Sequence, residues 1–254
     1  MKATIKRVVN RLGFNITRIP RLRLSVTRIR KTGRPEYEPV VPSATYSPWN
    51  KDNLFQAVFT SIQGFTMVDK YRCFELWKLV EQIAKLKNGN IIEIGVWRGG
   101  TGALIAKQAQ NCGIQDRVIL CDTFTGVVKA GVGDPIYGGG EHADTSRQVV
   151  EELILTHMNL NNVEILEGIF PDETGHRVGG MQFRFCHIDV DVYQSAKDIV
   201  DWMWDKMVPG GIMVYDDYGF DGCQGITKCV EEQMMCKDRL VIHNLNGHAI
   251  ILKL

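Results

Sequence analysis

Residues Asn90 to Ala106 read NIIEIGVWRGGTGALIA. The apolar run Ile91-Ile92-Glu93-Ile94 stops at Gly95, Gly99 and Gly100 follow, and an apolar stretch of helical character begins at Thr101. Strand, glycine turn and helix start in that order form the first half of a βαβ unit. The second half is Arg117-Val-Ile-Leu-Cys-Asp122, an apolar strand at the right interval that also ends in an acid. Glycines in such a turn let the backbone come close to a ligand, and the free N–H groups of the helix start favour an anionic or polar group. Glu93 would be costly at a buried strand end without a partner. Asp122 has two readings: a carboxylate that accepts hydrogen bonds from a ribose, as at the end of the second strand of nucleotide-binding sheets, or a cap for the next turn.

The flanking segments extend this unit into an α/β fold. Leu54, Val58 and Ile62 keep helical step from Asp52, and Tyr71, Phe74, Leu76, Trp77, Val80, Ile83, Ala84 and Leu86 mark a second helix with one buried face. Beyond Asp122, the stretch Gly126–Gly140 contains Gly131, Gly133, Gly138, Gly139 and Gly140 and reads as either an active-site lid or a disordered excursion. A helix is expected over Ser146 to Leu160, then strands at Val163–Leu166 and Phe183–Asp189. A helix over Ser195–Met207, a tight turn at Val208-Pro-Gly-Gly211 and a strand at Ile212–Tyr215 follow. After a helix beyond Gly225, Val241 to Leu254 reads as a closing hairpin turned at Asn246-Gly247.

The first 34 residues carry many Lys and Arg and no acid, although the whole chain has a net charge of only +1. We divide the chain into a basic extension and linker, 1–50, and an α/β domain, 51–254. Ile5, Val8, Val9 and Leu12 fit a short amphipathic helix. The extension reads as a solvated segment, as an arm on a second subunit of a homo-oligomer, or as a contact with an anionic membrane surface. The balanced charge speaks against nucleic acid as a partner. No apolar run has transmembrane length, and the start lacks a signal-peptide core. Seven Cys, an odd number without CxxC pairs, point to the reducing cytoplasm.

In an open α/β sheet, ligands bind beyond the carboxyl ends of the strands. Glu93, Asp122, Asp189 and the pair Asp216-Asp217 fall at such ends, with Asp191 close behind Asp189. So many carboxylates cannot all stay ionised in one crevice without a cation, and oxygen ligands suit Mg²⁺ first.

These motifs carry a family resemblance. Glu93-Ile-Gly-Val-Trp-Arg-Gly-Gly100 resembles the first motif of class I S-adenosylmethionine-dependent methyltransferases and departs from the GxGxxG dinucleotide fingerprint. From about Phe65 to Gln233 the chain resembles the macrocin O-methyltransferase family of sugar and aminocoumarin O-methyltransferases. The resemblance rests on Thr66-Met-Val-Asp69, Cys121-Asp-Thr-Phe124, Glu167-Gly-Ile-Phe-Pro171, His187-Ile-Asp-Val-Asp-Val-Tyr193 and Pro209-Gly-Gly through Asp216-Asp-Tyr218. It implies a Rossmann-like, mostly parallel seven-stranded sheet with an antiparallel last strand and helices on both faces. It also implies an enzyme that transfers a methyl group from S-adenosylmethionine to a hydroxyl of a sugar moiety in a glycoside, natural product or polysaccharide.

On the same resemblance, Asp189, Asp216 and Asp217 hold Mg²⁺ and Asp189 is also the general base. Gly95, Gly99, Gly100 and Thr101 cradle the methionine part of the cofactor and Glu93 orients it. Asp122 and Phe124 lie at the ribose, Gly168 and Phe170 border the adenine, and Thr66 and Met67 close over the cofactor. Arg98 pairs with the cofactor carboxylate or with Glu93. His142 reads as a second base or substrate contact, or as an exposed loop histidine. The alternatives to a sugar hydroxyl are a catechol- or phenol-type acceptor and a non-catalytic protein that keeps the fold. An NAD(P)-dependent oxidoreductase is disfavoured by the missing GxGxxG.

Overall fold

The computed structural model describes residues 14–18, 24–28, 36–37, 40 and 44–254. By its internal contacts the chain divides into two units, Met1–Ala44 and Thr45–Leu254. In the first, β1 (Phe14–Arg18) pairs antiparallel with β2 (Leu24–Arg28), Phe14 opposite Arg28 and Arg18 opposite Leu24. This hairpin went unread in the sequence, because the alternation in FNITR and LSVTR is short and masked by the surrounding basic residues. The helix expected over residues 1–12 lies outside the described residues.

In the second unit, α1 (Asn53–Ser61) starts at Asp52, whose carboxylate accepts from the Phe55 N–H at 2.9 Å. The next helix, α2 (Lys70–Ile83), is capped by Asp69, which accepts from Tyr71 N–H and Arg72 N–H. Each cap satisfies donors the helix cannot pair internally. The chain continues as β3 (Asn90–Ile94), α3 (Gly100–Asn111) and β4 (Val118–Asp122). Then come α4 (Arg147–Glu151), β5 (Val163–Glu167), α5 (Gly175–Val178) and β6 (Phe183–Ile188). The last elements are α6 (Tyr193–Met203), β7 (Met207–Tyr215), α7 (Gln224–Met234), β8 (Arg239–His243) and β9 (Ala249–Lys253).

Seven strands form one sheet in the order β5-β4-β3-β6-β7-β9-β8. Neighbours from β5 to β7 are parallel, and β9 runs antiparallel to both β7 and β8. This is the Rossmann-like arrangement expected from the sequence, antiparallel last strand included. Period-two alternation sorts the strand side chains between two cores. Ile91, Leu120, Phe185 and Val214 pack with α1, α2 and α3 on one face, and Ile92, Cys121, Cys186 and Met213 pack with α6 and α7 on the other. The alternation continues past the apolar runs, so Glu93, His187, Asp216 and His248 all fall on the α2 face.

Three local expectations are revised. Val208–Gly211 is not a turn between elements: β7 runs from Met207, and these residues bulge out between the pairings Phe183–Met207 and Phe185–Ile212. Pro209 has no N–H to give a ladder, so it suits a bulge. The helix expected over Ser146–Leu160 holds its α form only to Glu151 and widens into a π-turn over Glu152–His157. The helix expected over Ser195–Met207 begins at Tyr193 and ends at Met203, with a 3₁₀ turn over Trp204–Lys206. No helix among the described residues is long and apolar enough to cross a membrane.

Candidate active site

A cleft of about 710 Å³, its open mouth included, lies at the carboxyl ends of β3, β4, β5 and β6. Of the residues read as cofactor contacts, Met67, Gly95, Asp122, Gly168 and Phe170 line it, and so does Asp189. Gly95 has φ +86°, and a Cβ there would stand 1.7 Å from the Asp189 carbonyl oxygen. Only glycine lets β3 turn this tightly against β6. Gly99, with φ +87°, opens α3, and the Gly100 N–H donates to Phe65 O at 2.9 Å. That bond ties the segment carrying Thr66 and Met67 to the turn. Met67 is exposed at the cleft, whereas the Thr66 hydroxyl accepts from Val68 N–H at 3.0 Å.

Asp122 holds the turn from the other side. One carboxylate oxygen accepts from Val96 N–H at 2.7 Å and Trp97 N–H at 2.8 Å, and the other accepts from Phe124 N–H at 2.7 Å. Its capping role is therefore realised, at a position that also faces the cleft. Phe124 packs against the α2-side core, and Thr101 is buried in the first turn of α3. Thr66, Glu93, Gly99, Gly100, Thr101 and Phe124 are not among the lining residues. Glu93, expected to orient the methionine part, is fully buried and bonded to His187 Nδ1 at 2.8 Å. Arg98 pairs with Asp144 at 2.7 Å and not with Glu93.

The glycine-rich stretch is folded. Val127 N–H donates to Glu141 O, and Gly140 N–H donates to Val127 O. Buried Asp134 accepts from Gly131 N–H and from Tyr193 N–H, both at 3.0 Å, which pins the loop to the first turn of α6. Ser195 Oγ donates to Val128 O at 2.9 Å, and Lys129 bridges Asp172 and Asp198. Val127, Val128 and His142 line the cleft from this loop.

Four carboxyl groups meet beyond β6 and β7: Asp189, Asp191, Asp216 and Asp217. Burial and then the charges of Asp216, Asp217 and Asp191 push the Asp189 carboxyl well above its usual range. Burial and the charges of Asp216 and Asp191 do the same to Asp217, which also hydrogen-bonds Asp191. Burial would raise Asp216 as well, but His248, Arg72 and His187 outweigh it and hold Asp216 low. Tyr137 OH donates to Asp191 at 2.7 Å. Asp191 and Asp217 both have positive φ, +64° and +59°, a costly backbone state that marks functional turns.

Sequence reading missed the cation in this cluster. Arg72, buried in the first turn of α2, bonds Asp216 Oδ1 and Asp69 and lies 3.5 Å from Asp217. It also missed the polar layer beneath: His248 Nδ1 meets Glu75 at 2.6 Å, and His248 Nε2 stands 3.5 Å from Asp216. The available signal was the spacing of Arg72 and Glu75, three apart on one helical face otherwise apolar.

The arrangement offers a backbone cradle for a polar ligand at one end and a carboxylate set short of positive charge at the other. The family model described as macrocin-O-methyltransferase (TylF) matches residues 40–245. A rhamnosyl-tetracenomycin C 4'-O-methyltransferase of Streptomyces olivaceus is 27% identical over 176 residues, 63% of this chain and 64% of that protein. The mycinamicin III 3''-O-methyltransferase of Micromonospora griseorubida is 26% identical over 164 residues, 60% of this chain and 64% of that one. The matched stretch is thus a little under two thirds of these relatives' lengths. Among solved structures, the O-methyltransferase NovP superposes with a TM-score of 0.64 at 22% identity, covering 74% of this chain and 82% of that one. The calicheamicin methyltransferase CalS11 superposes with a TM-score of 0.58 at 14% identity, covering 83% and 94%.

Proposed function

The chain belongs to the macrocin O-methyltransferase family, and on that premise we propose that it transfers a methyl group from S-adenosylmethionine to a hydroxyl of a sugar moiety on a small molecule or glycan. One observation carries the proposal: a single cleft is lined both by the glycine turn at Gly95 and by Asp189 of the carboxyl cluster. Curated relatives act on the rhamnosyl group of a tetracenomycin and on mycinamicin III, and these names favour a sugar of a natural product.

Gly95 and Asp122 would take the methionine and ribose parts of the donor, Gly168 and Phe170 its adenine, and Met67 would cover it. Asp122 keeps lone-pair capacity for this, since two oxygens accept only three N–H groups. S-adenosylmethionine supplies an already activated methyl, so the residues have chiefly to align donor and hydroxyl.

The donor set of Asp189, Asp216 and Asp217 fits a hard divalent cation. All are oxygen ligands, and Asp189 and Asp217 are pushed up by burial and by the carboxylates beside them. Mg²⁺ at these residues would polarise and position the acceptor oxygen. Arg72 takes Asp216 Oδ1 and leaves its Oδ2 for that role. Asp189 is the proton acceptor, because it lines the cleft at the strand end where the hydroxyl must stand. The neighbouring Asp191 also lines the cleft and accepts from Tyr137 OH.

Asp189→Asn tests the assignment. S-adenosylhomocysteine should still bind by calorimetry, while methyl transfer to a rhamnoside acceptor falls by about two to four orders of magnitude, as for loss of a general base. Transfer at the wild-type rate would remove Asp189 from the chemistry. Absence of S-adenosylhomocysteine binding by the wild-type chain would overturn the whole reading.

A further inference from the structure

Beneath the cleft, on the α2 face of the sheet, His187, Asp216 and His248 bring one ligand atom each to within 4.8 Å of one another. Both histidines are 0% exposed, and both Nε2 atoms are buried without a hydrogen-bond partner. Their Nδ1 atoms face carboxylates, Glu93 at 2.8 Å and Glu75 at 2.6 Å. An ionised carboxylate only accepts hydrogen bonds, so each Nδ1 donates to its carboxylate and each Nε2 is left as the ring atom without a partner. A buried polar atom left unpaired is costly.

We propose that His187, His248 and Asp216 form a site for a first-row transition metal, zinc foremost, which shares Asp216 with the Mg²⁺ set and adds two histidines that the functional reading above does not use. The donor set of two imidazoles and one carboxylate suits zinc and is poor for Mg²⁺. The outer partners have the form metal sites use, a carboxylate behind each ligating imidazole to fix its tautomer and aim. Zinc bonds of about 2.0–2.1 Å place tetrahedral ligand atoms roughly 3.3 Å apart, so a modest inward rotation of the three side chains completes the site.

The register of the sheet explains why these residues meet. Tyr215 faces Ala249 across β7 and β9, so Asp216 and His248 follow as the next pair, on the opposite, α2 face. His187 comes from the adjoining β6, opposite Glu93 on β3. Four strands therefore contribute to the cluster, and α2 closes it with Glu75 and Arg72. A metal here would hold Asp216 in place and tie β6, β7 and β9 together under the cleft floor. The site does not depend on what the cleft methylates.

The test is metal analysis of the full chain after dialysis against excess Mg²⁺, with X-ray absorption at the zinc edge. We expect stoichiometric zinc in a nitrogen and oxygen shell without sulfur, lost in His187→Gln and His248→Gln and retained in Asp189→Asn. Replacement by Co²⁺ should give the intense visible bands of a four-coordinate ion in the wild type and in Asp189→Asn. Wild-type protein that holds no transition metal as purified and gives no such spectrum with Co²⁺ would overturn the proposal and leave a buried water or a protonated histidine pair in its place. So would zinc retained by both histidine variants. Should those variants fail to fold, the wild-type content and absorption edge still decide.

Discussion

At the scale of single residues, the site rests on positions whose neighbours leave no substitute. Gly95→Ala puts a methyl group into the Asp189 carbonyl at a backbone angle that disfavours any side chain. It should cost about 2–5 kcal/mol from strain and overpacking together, read as a fall in the urea midpoint, and weaken S-adenosylhomocysteine binding. Arg72→Leu removes the buried partner of Asp216 and should destabilise by about 3–5 kcal/mol, the usual cost of orphaning one member of a buried ion pair. Arg72→Lys should recover part of that loss in the same denaturation series. The glycines and strand-end acids were legible because each is local: an apolar run stops, and the residue at its end must face the crevice. Arg72, Glu75 and His248 were not. Their partners lie 144 and 173 positions away in the chain, and no local period reveals such a pairing. Glu93 was read as a ligand contact because its strand-end place was visible and its partner His187 was not.

At the scale of elements, the segment between β4 and α4 behaves as a folded lid hung from α6 by one carboxylate. Asp134→Ala leaves Gly131 and Tyr193 N–H groups without their acceptor. Trypsin should then cut at Lys129 faster than in the wild type, where that side chain is engaged by Asp172 and Asp198. The acceptor KM should rise more than kcat falls, because Val127, Val128 and His142 shape the cleft from this loop and the proton acceptor stays in place. An unchanged KM with faster cutting would mean that the loop does not meet the acceptor. Glycine content alone left both lid and excursion open; the anchors that hold the loop folded are single polar side chains. The bulge at Val208–Gly211 and the π-turn after α4 escaped for a related reason, since both interrupt an element whose flanks keep a regular pattern.

At the scale of the whole molecule, the carboxyl cluster sets the pH dependence of stability. Asp189 and Asp217 titrate above their unfolded values, so their contribution is full below about pH 4 and is lost as pH rises through the folded values. Asp216 is held low and acts with the opposite sign, its contribution fading as the solution becomes acid. Metal-free protein should therefore melt at a lower temperature as pH rises from about 4 towards the raised folded values, and Mg²⁺ should restore it more at high pH than at low. Asp217→Asn should melt above the metal-free wild type at about pH 8 and level with it near pH 4; equal melting at both pH values would show that the cluster carries no such repulsion. The placement of β9 has a different consequence, one for the order of assembly during synthesis. β9 sits between β7 and β8, although it leaves the ribosome after both. Until it arrives, β8 has no neighbour to join, while β7 waits as an open edge. The chain thus completes its sheet by insertion and not by addition, and the interval before that insertion is when β7 and β8 can pair with another molecule.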